Sequence, residues 1–132
     1  MTPILALVLA GTQPAPMVVV DEADTRRDGP APHGEIGQST AWRISDAVPA
    51  PRSFEFRKRA LHVGSAIGVH LIEHDEIYYV LSGTGTVHSD GVDRPLKPGM
   101  AAWLHKGARV GIRQTGNESL ILIIAYPNKP QN

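Results

Sequence analysis

The sequence contains no cysteine. Disulfides, cysteine–zinc sites and thiol nucleophiles are therefore excluded. The compartment stays open, because a chain without disulfides is at home in oxidising or reducing surroundings. No charge of one sign prevails either: 13 Lys and Arg face 13 Asp and Glu. The longest basic run is Arg57-Lys58-Arg59, in a strand-like stretch beside Phe54 and Phe56. It reads as a solvated strand face, and nucleic acid is a poor partner for so balanced a chain. Long apolar runs are also missing. The run from Ile4 to Ala10 is too short to span a bilayer. No stretch sustains a 3.6-residue period, so helix is expected to be minor. There is no internal repeat, no low-complexity tract, and no room for a helix-turn-helix segment of a DNA-linked regulator.

What is present is turn chemistry. Glycine and proline number 13 and 11 and punctuate short apolar runs, the texture of an all-β domain. At 132 residues the chain has the length of one domain. Strands are expected over 36–44, 54–61, 67–72, 77–81, 84–88, 101–104, 109–114 and 120–125. The pair Asp90-Gly91 suits a tight hairpin, since both residues tolerate positive φ. Residues 1–16 are compatible with a secretory leader cleaved after Ala10 or Ala15, or with a true start at Met17. The first reading implies export and the second a cytoplasmic protein; neither makes the segment part of the fold. Residues 17–45 then form an N-terminal arm and first strands, 46–128 the barrel and 129–132 a tail. The stretch 21–32 is charged, rich in Pro and Gly, and reads as an arm.

From Gly64 the chain reads GSAIGVHLIEHDEIYYVLSG. This resembles the first motif of the cupin family: glycine, five residues, His-x-His, three or four residues, Glu, six residues, glycine. Gly64, His70, Glu76 and Gly83 all fit; Ile72 stands where the second histidine belongs. The stretch from Gly99 to Gln114 is similar to the second motif. Gly99 and Gly107 hold, while His105 replaces a proline, Val110 the histidine and Gln114 the asparagine. The segment 32–37, Pro-His-Gly-Glu-Ile-Gly, also looks like the entry segment of some small bacterial cupins.

The resemblance implies an all-β, jelly-roll β-barrel with a pocket inside and a degenerate metal site. His70 and Ile72 are two apart and share a strand face, as do Val110, Ile112 and Gln114. With Tyr78 and Trp103 these are the expected pocket residues. Cupin metal sites usually take three His and one Glu. Here His70 and Glu76 remain, and Ile72 and Val110 occupy the vacated positions. No cofactor is expected beyond a weakly held divalent transition metal on His70 and Glu76, completed by His105, His74 or Gln114. His74 is expected to face solvent; His62 and His88 read as surface residues, and His33 belongs to the arm.

Two functions compete. One is a barrel that binds a small organic ligand, favoured by the aliphatic replacements. The other is an enzyme on a carbohydrate-derived or carboxylate substrate, with His70 and Glu76 as an acid–base pair for isomerase, epimerase or lyase chemistry. The outward face of the fourth expected strand, Ile77, Tyr79 and Leu81, is too apolar for water and implies a homodimer.

Overall fold

The computed structural model describes residues 13–129. The leader reading of residues 1–16 falls mainly outside them. Ten strands form two antiparallel sheets: β1 Arg26–Pro30, β2 Gln38–Trp42, β3 Phe54–Leu61, β4 Ala66–Leu71, β5 Glu76–Ser82, β6 Thr84–Ser89, β7 Val92–Leu96, β8 Ala101–Leu104, β9 Arg109–Thr115 and β10 Leu120–Pro127. Helix among the described residues amounts to two 3-10 turns, Glu22–Thr25 and Ile44–Ala47. None is long and apolar enough to cross a membrane.

The larger sheet runs β1-β2-β3-β10-β5-β8 and the smaller β4-β9-β6-β7. Strict alternation builds the layer between them. Leu120, Leu122 and Ile124 of β10 point inward, as do Tyr78 and Val80 of β5. Val110 and Ile112 of β9 and Val87 of β6 meet them from the other sheet. Complete burial of Leu61, Leu120 and Leu122 stabilises the fold by about 1.5–3 kcal/mol each. The hairpin β6–β7 turns on Asp90 and Gly91, with φ of 47° and 82°. That is the left-handed pair a two-residue turn requires.

Every expected strand forms, and the structure adds two. β1 lies inside the stretch read as an arm, where Arg26, Arg27 and Asp28 carry no apolar signal; it pairs along its length with β2. β7 contains Pro95 and buries Leu96 alone. Both are edge strands, where proline and charge are tolerated because one side of the ladder needs no partner. The strand expected over 36–44 is shorter, because Ile44 opens a 3-10 turn.

One irregularity sets up the site. The β4–β9 register slips between Ile67 and His70. From Ile67, unbroken alternation would aim Val69 inward and His70 outward. The bulge reverses this: Val69 is 57% exposed, and Ile72 is buried. A bulge re-aims the side chains that follow it, and here it turns His70 and Ile72 toward the space between the sheets.

Candidate ligand cavity

A cavity of about 390 Å³ opens between the sheets. β4 contributes Ile67 and His70, with Ile72 just beyond its end; β5 contributes Glu76 and Tyr78. Arg57 and Arg59 of β3 form the opposite wall, and Ile124 and Tyr126 of β10 lie between. These walls follow from register. Ile124 stands opposite Arg57 on one side and Tyr78 on the other.

The basic run was expected to be a solvated face, and the structure overturns that. In β3 the inward positions are Glu55, Arg57, Arg59 and Leu61, while Phe54 and Phe56 face out. Lys58 of the run turns outward, its ammonium 4.3 Å from the Trp42 ring centroid. Arg59 donates from Nη1 to Ser39 Oγ at 2.8 Å. Burial, then the guanidinium groups of Arg57 and Arg43, lower its pKa. The Arg57 guanidinium carbon sits 5.9 Å from the Tyr126 ring centroid.

Glu76 is buried at 7% exposure. Desolvation raises its pKa, against the pull of His74 and then His70. Its close imidazole is His74, with Nδ1 3.8 Å from Oε1. His74 also stacks on Tyr126, centroids 4.4 Å apart. The turn residue expected to face solvent therefore lines the cavity. His70 is turned to another partner: its ring lies 3.6 Å from that of His33, parallel within 5°. His70 Nδ1 is 2.8 Å from the Gly68 carbonyl oxygen, so as a donor there it leaves Nε2 free. Burial, then His70 and Arg59, lower the His33 pKa.

His33 reaches this place because the loop 31–37 folds back over β4. Gly68 N–H donates to the Pro32 carbonyl at 3.3 Å, and Ala66 N–H to the Ile36 carbonyl at 3.0 Å. Tyr78 is fully buried, and its hydroxyl makes no well-aligned hydrogen bond among the described residues, although the Glu76 carboxyl lies close to it. Burial, then the nearby Glu76 carboxylate, push its pKa well above the phenolic range.

Other expected pocket residues lie elsewhere. Val110 and Ile112 are in the core and do not line the cavity. Gln114 is buried, but its amide is committed to a turn. Its Oε1 accepts from Gly64 N–H at 2.8 Å, and its Nε2 donates to the carbonyls of Thr115, Gly116 and Glu118 at 2.7–3.1 Å. Trp103 is 59% exposed on the outer face, its indole N–H donating to Asp75 Oδ2 at 3.0 Å. His105 is exposed in the turn after β8. His62 and His88 are half-buried rather than open surface: His62 Nε2 is 3.0 Å from Thr40 Oγ1, and His88 Nδ1 is 2.7 Å from Asp93 Oδ1.

Among the described residues no three His, Cys, Asp or Glu side chains are grouped to hold an ion. His33 and His70 present ring faces to one another, not lone pairs to a common point. A divalent transition metal needs three or four converging donors, and no such group stands together among the described residues. The cavity offers instead the guanidinium groups of Arg57 and Arg59 on β3, the Glu76 carboxyl and Tyr78 hydroxyl on β5, and aliphatic Ile124 between them.

Similar proteins frame this site. The oxalate-binding protein of Thermotoga maritima is 39% identical over 66 residues, 49% of this chain and 54% of that protein. The chain thus spans about half the length of the curated relative it matches. The crystal structure of a predicted oxalate decarboxylase from the same organism superposes with TM-score 0.73 at 27% identity, covering 83% of this chain and 98% of that one. The polyketide cyclase RemF of Streptomyces resistomycificus shares the fold at TM-score 0.70 and 17% identity, over 85% and 80% of the two chains. The bulged strand β4, the turn into β5, the whole smaller sheet, β5, β8 and nearly all of β10 fall within residues 59–126, the span matched by the model of the cupin domain. That span is just over half of the sequence, and on it the chain belongs to the cupin family.

Proposed function

We propose that this chain binds a small organic molecule in the cavity between its sheets, without a resident metal. The observation that carries the reading is the cavity's construction: polar groups from β3, β4 and β5 line one open cavity between the sheets. Binding sites of this kind combine an apolar lining with a few placed polar groups. The relative named an oxalate-binding protein supports a ligand of organic-acid size. The test fills the cavity. Ile72→Trp should leave the chain folded but abolish the thermal stabilisation given by any small ligand that raises the wild-type melting temperature. Undiminished stabilisation of the variant would place binding elsewhere.

One observation favours a second reading, acid–base catalysis. A buried carboxyl with raised pKa stands 3.8 Å from an imidazole. A carboxyl and an imidazole so placed can pass a proton to and from a bound molecule. The pair with that spacing is Glu76 with His74, rather than Glu76 with His70. Turnover of a bound acid, lost on Glu76→Gln, would shift the conclusion to an enzyme.

The homodimer is part of the same proposal. The outer face of the larger sheet carries Phe56, Ile77, Tyr79, Leu81 and Trp103; Tyr79 is 40% and Leu81 45% exposed. Ile77 lies beside Trp103, and Tyr79 beside Ile123. A continuous apolar sheet face of this kind calls for a cover. Light scattering at micromolar concentration should give twice the chain mass, and Tyr79→Glu should halve it. A wild-type monomer would refute the pairing.

A further inference from the structure

Three hydrogen-bond donors on the cavity side of the larger sheet are buried and unpaired among the described residues: Arg57 Nε, Arg59 Nε and the Tyr78 hydroxyl. All three side chains line the cavity. Arg57 and Tyr78 flank Ile124 in one row, and Arg59 stands in the next row, opposite Leu122. Buried donors are almost always satisfied, and each exception asks for a reason. An arginine Nε can only donate, so this wall calls for acceptor oxygens.

The charge pattern points the same way. Asp46 and Glu55 lie within 4 Å of three guanidinium groups. Arg43 Nε is 3.0 Å from Asp46, Arg52 Nε is 3.1 Å from Glu55, and Arg57 Nη2 is no closer than 3.7 Å to either carboxylate. Arg57 is thus the loosely held third cation of a set with two anions. Arg59 gives its Nη1 to a neutral hydroxyl. Neither Arg57 nor Arg59 thus has a tightly paired carboxylate, and burial raises the pKa of Glu76, the acidic group that shares the cavity with them.

We propose that this wall is an anion site: Arg57, Arg59 and the Tyr78 hydroxyl receive a carboxylate of the bound molecule, which makes the ligand a small organic acid. The assignment rests on the cavity reading given above and narrows it to a class. A guanidinium edge presents N–H groups at the spacing of two carboxylate oxygens, so it recognises a planar anion better than a lone ammonium does. The phenol adds a donor that a neutral wall of the same shape would lack. Inorganic phosphate shares part of this chemistry and is one arm of the test.

The experiment is calorimetric titration of the full chain with oxalate, malonate, lactate, inorganic phosphate and glucose. Wild type is compared with Arg57→Gln, Arg59→Gln, Arg59→Lys and Tyr78→Phe, each checked for fold by circular dichroism. At least one carboxylate should bind the wild type, and bind better than phosphate or glucose. Loss of either guanidinium should weaken it about tenfold or more, the size of one charge-assisted contact. Arg59→Lys keeps the charge and loses the fork, so it should fall between wild type and Arg59→Gln; it also serves if the glutamine variant does not fold. Tyr78→Phe should weaken binding while leaving the unliganded melting temperature unchanged or higher, because the hydroxyl it removes is unpaired. Equal carboxylate affinity in wild type and the arginine variants would overturn the site, as would preference for phosphate. Binding of glucose alone would overturn the anion wall and leave the cavity reading standing. If no probe binds and Ile72→Trp is also silent, both fall. A drop in melting temperature for Tyr78→Phe would remove the hydroxyl from the site.

Discussion

Gly68→Ala is expected to destabilise the protein by roughly 3 kcal/mol, and to lift the loop 31–37 away from the cavity. A Cβ built at Gly68 would lie 1.7 Å from the His33 carbonyl oxygen and 2.9 Å from its carbonyl carbon. Those are backbone atoms, which cannot swing aside as a side-chain tip does. The loop is already committed: His33 and Glu35 sit at φ of 60° and 52°, left-handed values that cost non-glycine residues energy. The inexpensive escape is withdrawal of the loop. That breaks the hydrogen bond from Gly68 N–H to Pro32 and separates the His33 and His70 rings. Urea denaturation gives the stability change, and the imidazole resonances of His33 and His70 report the lost stacking. Gly29→Ala is the control, because a Cβ there meets nothing within 4 Å. If the two variants prove equally stable, the close approach at Gly68 is not what seats the loop.

Glu55→Gln should cost about 1–3 kcal/mol at neutral pH and almost nothing near pH 2. The carboxylate is 5% exposed. Burial alone would raise its pKa, but the Ser45 hydroxyl and the Arg52 guanidinium overcome that and hold it at about 2. Ser45 Oγ donates to Oε1 at 2.7 Å and Arg52 Nε to Oε2 at 3.1 Å. The folded pKa lies below the 4.5 of an unperturbed glutamate. The stabilisation is therefore complete above pH 4.5 and disappears as the pH falls from there toward 2. Denaturation of both proteins at pH 7, 4 and 2.5 should show a gap that closes with acid. A gap independent of pH would mean that the carboxylate's charge contributes nothing.

The barrel was legible because its signals are local. Alternation in β5 and β10 and the glycines bracketing 64–83 need no tertiary information to be read. What escaped notice was set by distant chain. Nothing near Arg57 and Arg59 announces that this face of β3 will be turned toward the second sheet, since which side of a charged strand faces in depends on its neighbours' register. His33 looked like part of a solvated arm, because the notch that receives it is a missing Cβ some 35 residues later, at Gly68. Gln114 shares a face with Val110 and Ile112, as its spacing implied, yet its amide serves a turn. The motif's spacing placed His70, Ile72, Glu76 and Tyr78 on the cavity. His74, outside the motif's fixed points, could be read only as an optional completing ligand on a solvent-facing turn, yet it stands beside Glu76.

The position of β10 also has a consequence for how the chain acquires its shape. β10 follows β3 and β5 in the sequence yet lies between them, bonded to both. Until it arrives, the larger sheet exists as two fragments, β1-β2-β3 and β5-β8, with open ladders facing one another. Such pairing is non-local and slow, and open edges of this kind recruit other strands. Hairpins such as β6–β7 can therefore form before β10 is made, but the larger sheet joins only once β10 is in place. An early stop before Leu120 would leave a species with two unpaired edges and a gap the width of one strand, a template for aggregation rather than a smaller version of the same barrel.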